Sequence, residues 1–146
     1  MVTGPAQPSP TVGYSGTPLA KKLGVREGST IALVGAPTGF TIPDLPHGAT
    51  ISRSDRAMSD VTVWFVPSAR ELSRRMAQMA KRADKGALWV CWPKRSSGVR
   101  TDVTEHAVRE TAIANGLVDF KVAAIDETWS GLRFAVVSER TRRGRA

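Results

Sequence analysis

Apolar residues in this chain fall into two patterns that alternate: short unbroken runs, and longer stretches with a period near 3.6. Thr30 to Gly35 (TIALVG) and Ala87 to Trp92 (ALWVCW) are continuous runs of strand length, and Val61 to Val66 (VTVWFV) is a strand candidate rich in β-branched and aromatic residues. A strand covered on both faces reads this way. Ala49 to Ser52 (ATIS) is a weaker candidate. Ser68 to Glu71 (SARE) has capping-box spacing and predicts a helix running to about Arg82. Leu72, Met76, Met79 and Ala80 share one face of it; Arg74, Arg75, Gln78, Lys81 and Arg82 form the other, solvated face. Asp102 and Glu105 repeat the capping spacing ahead of Val103, Ala107, Val108 and Ala112, and Asn115 with Gly116 closes that helix. A shorter helix is predicted before the first strand, with Thr17 as cap, Pro18 in the first turn, Leu19 and Leu23 on one face, and Gly24 as stop. Pro43 and Pro46 leave any helix after the first strand short or absent. Asp119 to Ile125 and Leu132 to Val137 are the last two strands, joined by Asp126 to Gly131 (DETWSG).

Strand-helix alternation predicts a parallel sheet, because parallel neighbours need a crossover. The final two strands are too close for one and predict an antiparallel pair. The expected fold is α/β: a small Rossmann-like, mainly parallel sheet with helices on both faces and a C-terminal antiparallel strand pair. One domain is expected over 14–138, with a disordered leader over 1–13 and a flexible basic tail over 139–146. The leader has three prolines, two glycines and no side-chain charge.

Composition changes this picture in one respect, charge. The chain carries 21 Lys and Arg against 13 Asp and Glu, a formal +8. The segment 139–145 holds four arginines (Arg140, Arg142, Arg143, Arg145) against one glutamate, so +3 is local to the tail. The rest is spread over the body, where Lys94 and Arg95 form one of several pairs. Such a balance favours encounters with anionic small molecules, nucleic acid or phospholipid. No run approaches the roughly 18 apolar residues of a membrane span, and no signal pattern opens the chain, so a cytoplasmic location is the expectation. The single cysteine, Cys91, lies inside an apolar run and reads as a small buried hydrophobe.

In open α/β sheets, ligands bind outside the carboxyl ends of the strands. The loop after Trp92 reads PKRSSG. There Lys94 and Arg95 supply charge, Ser96 and Ser97 hydroxyls, and Gly98 close backbone approach. The alternative is a wet turn whose cations pair with Asp102 or Glu105. Trp92, at the strand end, is expected to be partly exposed and able to stack on a planar ligand. Asp126 and Trp129 in the last connection are further ligand candidates; Asp126 could instead pair with Lys121 or Arg133. His47 and His106 are far apart and no metal-ligand spacing exists, so no metal is expected. Nucleophile-elbow, P-loop and Ser-His-Asp patterns are absent.

The plan is similar to the class I methyltransferase fold, whose first loop is glycine-rich. The comparable stretch here runs from Leu33 through Gly35, Ala36, Pro37 and Thr38 to Gly39. Its outer glycines fit, but Pro37 replaces the middle one, and Ser52 and Arg53 stand where a ribose-binding carboxylate is expected. This argues against adenosylmethionine. Four segments together, Tyr14 to Gly24, Leu88 to Lys94, Gly116 to Val122 and Asp126 to Leu132, resemble a bacterial, largely actinobacterial family known only as a domain of unknown function. The likeness covers roughly 14–137. It implies a methyltransferase-like fold with a decayed cofactor loop, and it brings no established activity or catalytic residues. Two functions are therefore expected to compete. One is a non-catalytic module binding a nucleotide, nucleic acid or acidic protein at Gly35, Pro37, Gly39 and the Lys94 corner. The other is a small methyltransferase-like enzyme with a non-standard adenosyl cofactor loop.

Overall fold

The computed structural model describes residues 17–56 and 58–137. The predicted leader, Tyr14 and the tail arginines Arg140, Arg142, Arg143 and Arg145 lie outside the described residues.

Among the described residues, six strands and three α-helices follow the predicted alternation. In chain order they are α1 (Leu19–Leu23), β1 (Thr30–Val34), β2 (Thr50–Ser52), β3 (Val61–Phe65), α2 (Ala69–Ala80), β4 (Ala87–Pro93), α3 (Glu105–Ala114), β5 (Leu117–Ala124) and β6 (Trp129–Val136). The strands form one sheet in the order β2-β1-β3-β4-β6-β5. Pairing is parallel from β2 through β4, and antiparallel for β4 with β6 and for β6 with β5. The sheet is therefore mixed, parallel in only three of its five pairings. The hairpin does not stand apart, because its second strand continues the sheet from β4.

Every residue of β3 and β4 is buried, which explains their apolar runs, broken only by Thr62 in β3. One face packs Ala32, Trp64, Val90 and Trp92 under α2 and α3. The other packs Ile31, Leu33, Phe65, Trp89 and Cys91 under α1 and the loop carrying Phe40 and Ile42. With Pro43 and Pro46 in that loop no helix forms there, so the second face is covered by one five-residue helix and irregular chain. Trp89 ties that short helix down by donating its indole N–H to the Leu23 carbonyl at 3.1 Å. Its ring has room because Gly131 faces it from β6: a Cβ there would stand 3.2 Å from Trp89 Cε3 and 3.1 Å from Cys91 Sγ.

Several details differ from the sequence expectation. Pro18, not Thr17, takes the cap position of α1, while Gly24 stops it in the left-handed region as predicted. Ser68 caps α2 through its Oγ, which accepts the Glu71 amide at 3.1 Å. Asp102 does not cap α3. Thr104 does, accepting the Ala107 amide at 3.0 Å, whereas Asp102 Oδ1 accepts the Ala69 amide of α2 at 2.8 Å. Arg82 is not solvated. The chain leaves α2 in a 3-10 turn over Lys81–Asp84, which rotates Arg82 under the sheet edge to donate to the Asp55 carbonyl and to Thr62 Oγ1. Burial holds its pKa below the usual value. Strands β5 and β6 begin two and three residues earlier than predicted: β5 starts directly after Gly116, where Leu117 pairs with Val136, and β6 starts at Trp129 because the connection is a tight turn built by Asp126.

Candidate functional site

Strands β1, β3 and β4 run parallel, so their carboxyl ends share one rim of the sheet. The first turn after Val34, Pro67 with Ser68, and the corner at Pro93 and Lys94 all emerge there. The hairpin turn joins them: the Lys94 amide donates to the Thr128 carbonyl at 2.7 Å.

Strand order reverses between β1 and β3, the place where open α/β sheets receive ligands. Here it is filled by the chain itself. Gly35, at φ +70°, lies so close to β3 that a Cβ would stand 2.9 Å from the Phe65 carbonyl oxygen. Pro37 accepts the Phe40 amide at 3.0 Å, and this turn folds Phe40 inward. The Phe40 ring meets Phe65 edge-on at 4.8 Å, and Phe65 meets Trp129 edge-on at 4.9 Å. Arg53 fastens the plug by donating to the Phe40 carbonyl at 2.6 Å.

The rim consequently carries two cavities on opposite faces. On the α1 face, about 540 Å³ is lined by Leu19, Gly39, Phe40, Ile125, Asp126 and Glu127. On the α2 and α3 face, about 690 Å³ is lined by residues that include Trp92, Lys94, Arg95, Thr101, Thr104 and His106. The candidate residues are thereby divided. Gly39 and Asp126 line the first cavity, Trp92, Lys94 and Arg95 line the second, and Gly35 and Pro37 line neither.

Several candidates have structural work instead. Asp126 Oδ1 accepts the amides of Thr128 and Trp129, both at 2.8 Å, and pairs with neither Lys121 nor Arg133. Trp129 sits inside β6, half-buried against Phe65. The Ser97 hydroxyl donates to the Lys94 carbonyl at 2.6 Å and accepts from the Val99 amide, so both its capacities close the turn over Arg95–Ser97. Ser96 is exposed and bonds to no described residue. Trp92 is not partly exposed as expected. Only 6% of its surface remains, and its flat faces are packed into the core.

Lys94 and Arg95 form no ion pair among the described residues. The two carboxylates close in sequence are engaged elsewhere: Asp102 by the Ala69 amide, and Glu105 by Arg109 at 2.7 Å. Positive charge accumulates at this rim. Lys22 is buried beneath it and donates to the Ala124 carbonyl at 3.5 Å. Its pKa is lowered by burial first, then by the charges of Lys94 and Lys121. Cys91 is also buried, and desolvation pushes its thiol well above the ordinary value, so the chain's one cysteine stays protonated. His47 lies near Gly28 at the opposite rim, far from His106.

Sequence reading missed Thr101, Thr104, His106 and Ser130 as lining residues. A signal existed in the first three, since the hydroxyl-rich stretch from Thr101 to His106 (TDVTEH) directly follows the basic loop. Among the described residues no group of three or more His, Cys, Asp and Glu is placed to hold a metal ion, and no helix is long and apolar enough to cross a membrane. In comparisons with known proteins, no family model matches the chain and no curated protein matches it.

Proposed function

We propose that this protein, of the bacterial family its motifs resemble, is a non-catalytic Rossmann-like module. It binds an anionic ligand or partner (a nucleotide, nucleic acid or acidic protein) at the carboxyl edge of its sheet. In support, the run β2-β1-β3-β4 matches the interior of the Rossmann strand order without its two outermost strands, with the hairpin added beyond β4.

One observation carries the reading: Lys94 and Arg95 line a cavity without an ion pair among the described residues, while Glu105, the carboxylate that lines it with them, is engaged by Arg109 and the nearby Asp102 by the Ala69 amide. Unpaired cations in a concave site favour an anionic occupant through charge-assisted hydrogen bonds. The absence of catalysis is inferred from what the candidate groups do instead. Phe40 occupies the switch point, Asp126 builds a turn, and the Cys91 thiol is sealed and protonated.

The test is fluorescence anisotropy with a labelled single-stranded oligonucleotide, and with ATP as competitor, across a salt series. Lys94→Ala with Arg95→Ala should weaken binding at least tenfold and flatten the salt slope by about 1.4, as two phosphate contacts at about 0.7 each require. Removing 139–146 should leave the slope almost unchanged. Binding that survives the double substitution but is lost with the tail would move the activity off the domain.

A further inference from the structure

The geometry points to a narrower assignment that rests on the anion-binding reading: the cleft between the β4 corner and the start of α3 takes the phosphate group of a small phosphate monoester. Its polar lining is mostly hydrogen-bond donor; the one carboxylate in it, Glu105, is engaged by Arg109 at 2.7 Å. The Thr101 hydroxyl already accepts the Val103 amide at 3.1 Å, and the Thr104 hydroxyl already accepts the Ala107 amide. Each therefore has its proton left to give. The Ser130 hydroxyl bonds to no described residue. The amides of Glu105 and His106, in the first turn of α3, have no acceptor among the described residues, and a ten-residue helix presents its positive end there.

Trp92 adds an independent pointer. It is 6% exposed, yet its indole N–H donates to no described residue. That N–H is not sealed either, since among the described residues the one side-chain nitrogen or oxygen fully buried without a partner is Arg133 Nε. A buried indole places its N–H where a partner can satisfy it, and the cavity that Trp92 lines is this cleft. A fixed donor in the wall thus joins two cations, three hydroxyls and two amides. A carboxylate offers about four acceptor sites, fewer than this set can fill, whereas the three terminal oxygens of a phosphate monoester offer more. A volume of about 690 Å³ suits a small molecule. A nucleic-acid backbone would present phosphodiesters, each with two terminal oxygens and one charge.

Indole ¹H–¹⁵N resonances of the full chain provide the test, because the chain has four tryptophans and Trp92→Phe assigns the one of interest. Ribose 5-phosphate and inorganic phosphate should each move the Trp92 resonance saturably, with acetate at equal ionic strength at least tenfold weaker. Lys94→Ala with Arg95→Ala should weaken the ribose 5-phosphate response at least tenfold while the other three indole resonances stay in place, showing an intact fold. If a single-stranded oligonucleotide moves Trp92 and ribose 5-phosphate does not, the monoester assignment is wrong and the anionic edge stands. If no anion moves it, both are wrong.

Discussion

Phe40→Ala tests the plug at the strand-order reversal. The ring is 8% exposed and edge-on to Phe65 at 4.8 Å. Burying a phenylalanine side chain contributes about 2–3 kcal/mol, and an edge-to-face pair about 0.5–1.5 more. Truncation of a buried Phe typically costs about 3–5 kcal/mol. The low end applies here, because the α1-face cavity already touches Phe40 and water can enter the space left behind. The bond from Arg53 ends on the Phe40 carbonyl and survives the substitution. The expected loss is therefore about 3 kcal/mol, or about 10 °C in Tm for a domain of this size. Phe40→Leu keeps most of the apolar volume and should lose about 1–1.5 kcal/mol. Urea unfolding followed by circular dichroism reads both, with m unchanged. A Phe40→Ala loss below about 1 kcal/mol would refute the packing argument, since burial of the ring alone exceeds that figure.

The helix caps give a second prediction: Asp102→Ala and Ser68→Ala should each destabilise by about 1 kcal/mol through the same end of α2, with a non-zero coupling in a double-mutant cycle. Neutrality of Asp102→Ala in urea unfolding would contradict the bond across 33 residues. Gly131→Ala should cost about 1–3 kcal/mol by crowding Trp89, Cys91 and Ile125, and Cys91→Ala in the same chain should recover part of it; independent effects would refute the contact. Arg82→Met should lose about 2 kcal/mol because the Asp55 carbonyl and the Thr62 hydroxyl lose a charged donor; an unchanged urea midpoint would show them rehydrated. In alkali, two groups act in opposite directions. The Cys91 thiol is held protonated above its ordinary 9.0, so the unfolded chain releases that proton first and stability falls as pH climbs past 9. Lys22 is held below its ordinary 10.5, so the folded chain releases its proton first and stability rises with pH between the lowered value and 10.5. Cys91→Ala should therefore expose a rising alkaline arm and Lys22→Met a steeper falling one; parallel urea-midpoint profiles would contradict both.

What the sequence made legible was local or covered on both faces. The runs at β1, β3 and β4 are nearly all apolar because both sheet faces are packed, with Thr62 a buried polar residue in β3, so pattern alone placed them within a residue or two. The Ser68 cap was legible because its partner is three residues away. Asp102 was misread for the opposite reason: its partner is distant, and the nearby Thr104 competes for the cap of α3. Arg82 continues the polar face of α2 in the one-dimensional pattern, and only the switch to a 3-10 turn buries it. The carboxyl rim was legible as a place, because parallel strands must end together. Its division was not, since which face each corner serves depends on Phe40 folding across Phe65 and on Asp126 tightening the hairpin. That division separates Gly39 and Asp126 from Lys94 and Arg95, which the chain pattern had grouped.

The central claim is that an anion docks on the α3 side of the carboxyl rim, and backbone amide mapping of the full chain addresses it most directly. With ribose 5-phosphate, ATP and a short oligonucleotide added in turn, the account predicts saturable shifts at 94–98 and 104–107 for at least one of them. Shifts largest at Arg26, Gly86 and Arg133 on the opposite rim, or confined to 139–146, would contradict it.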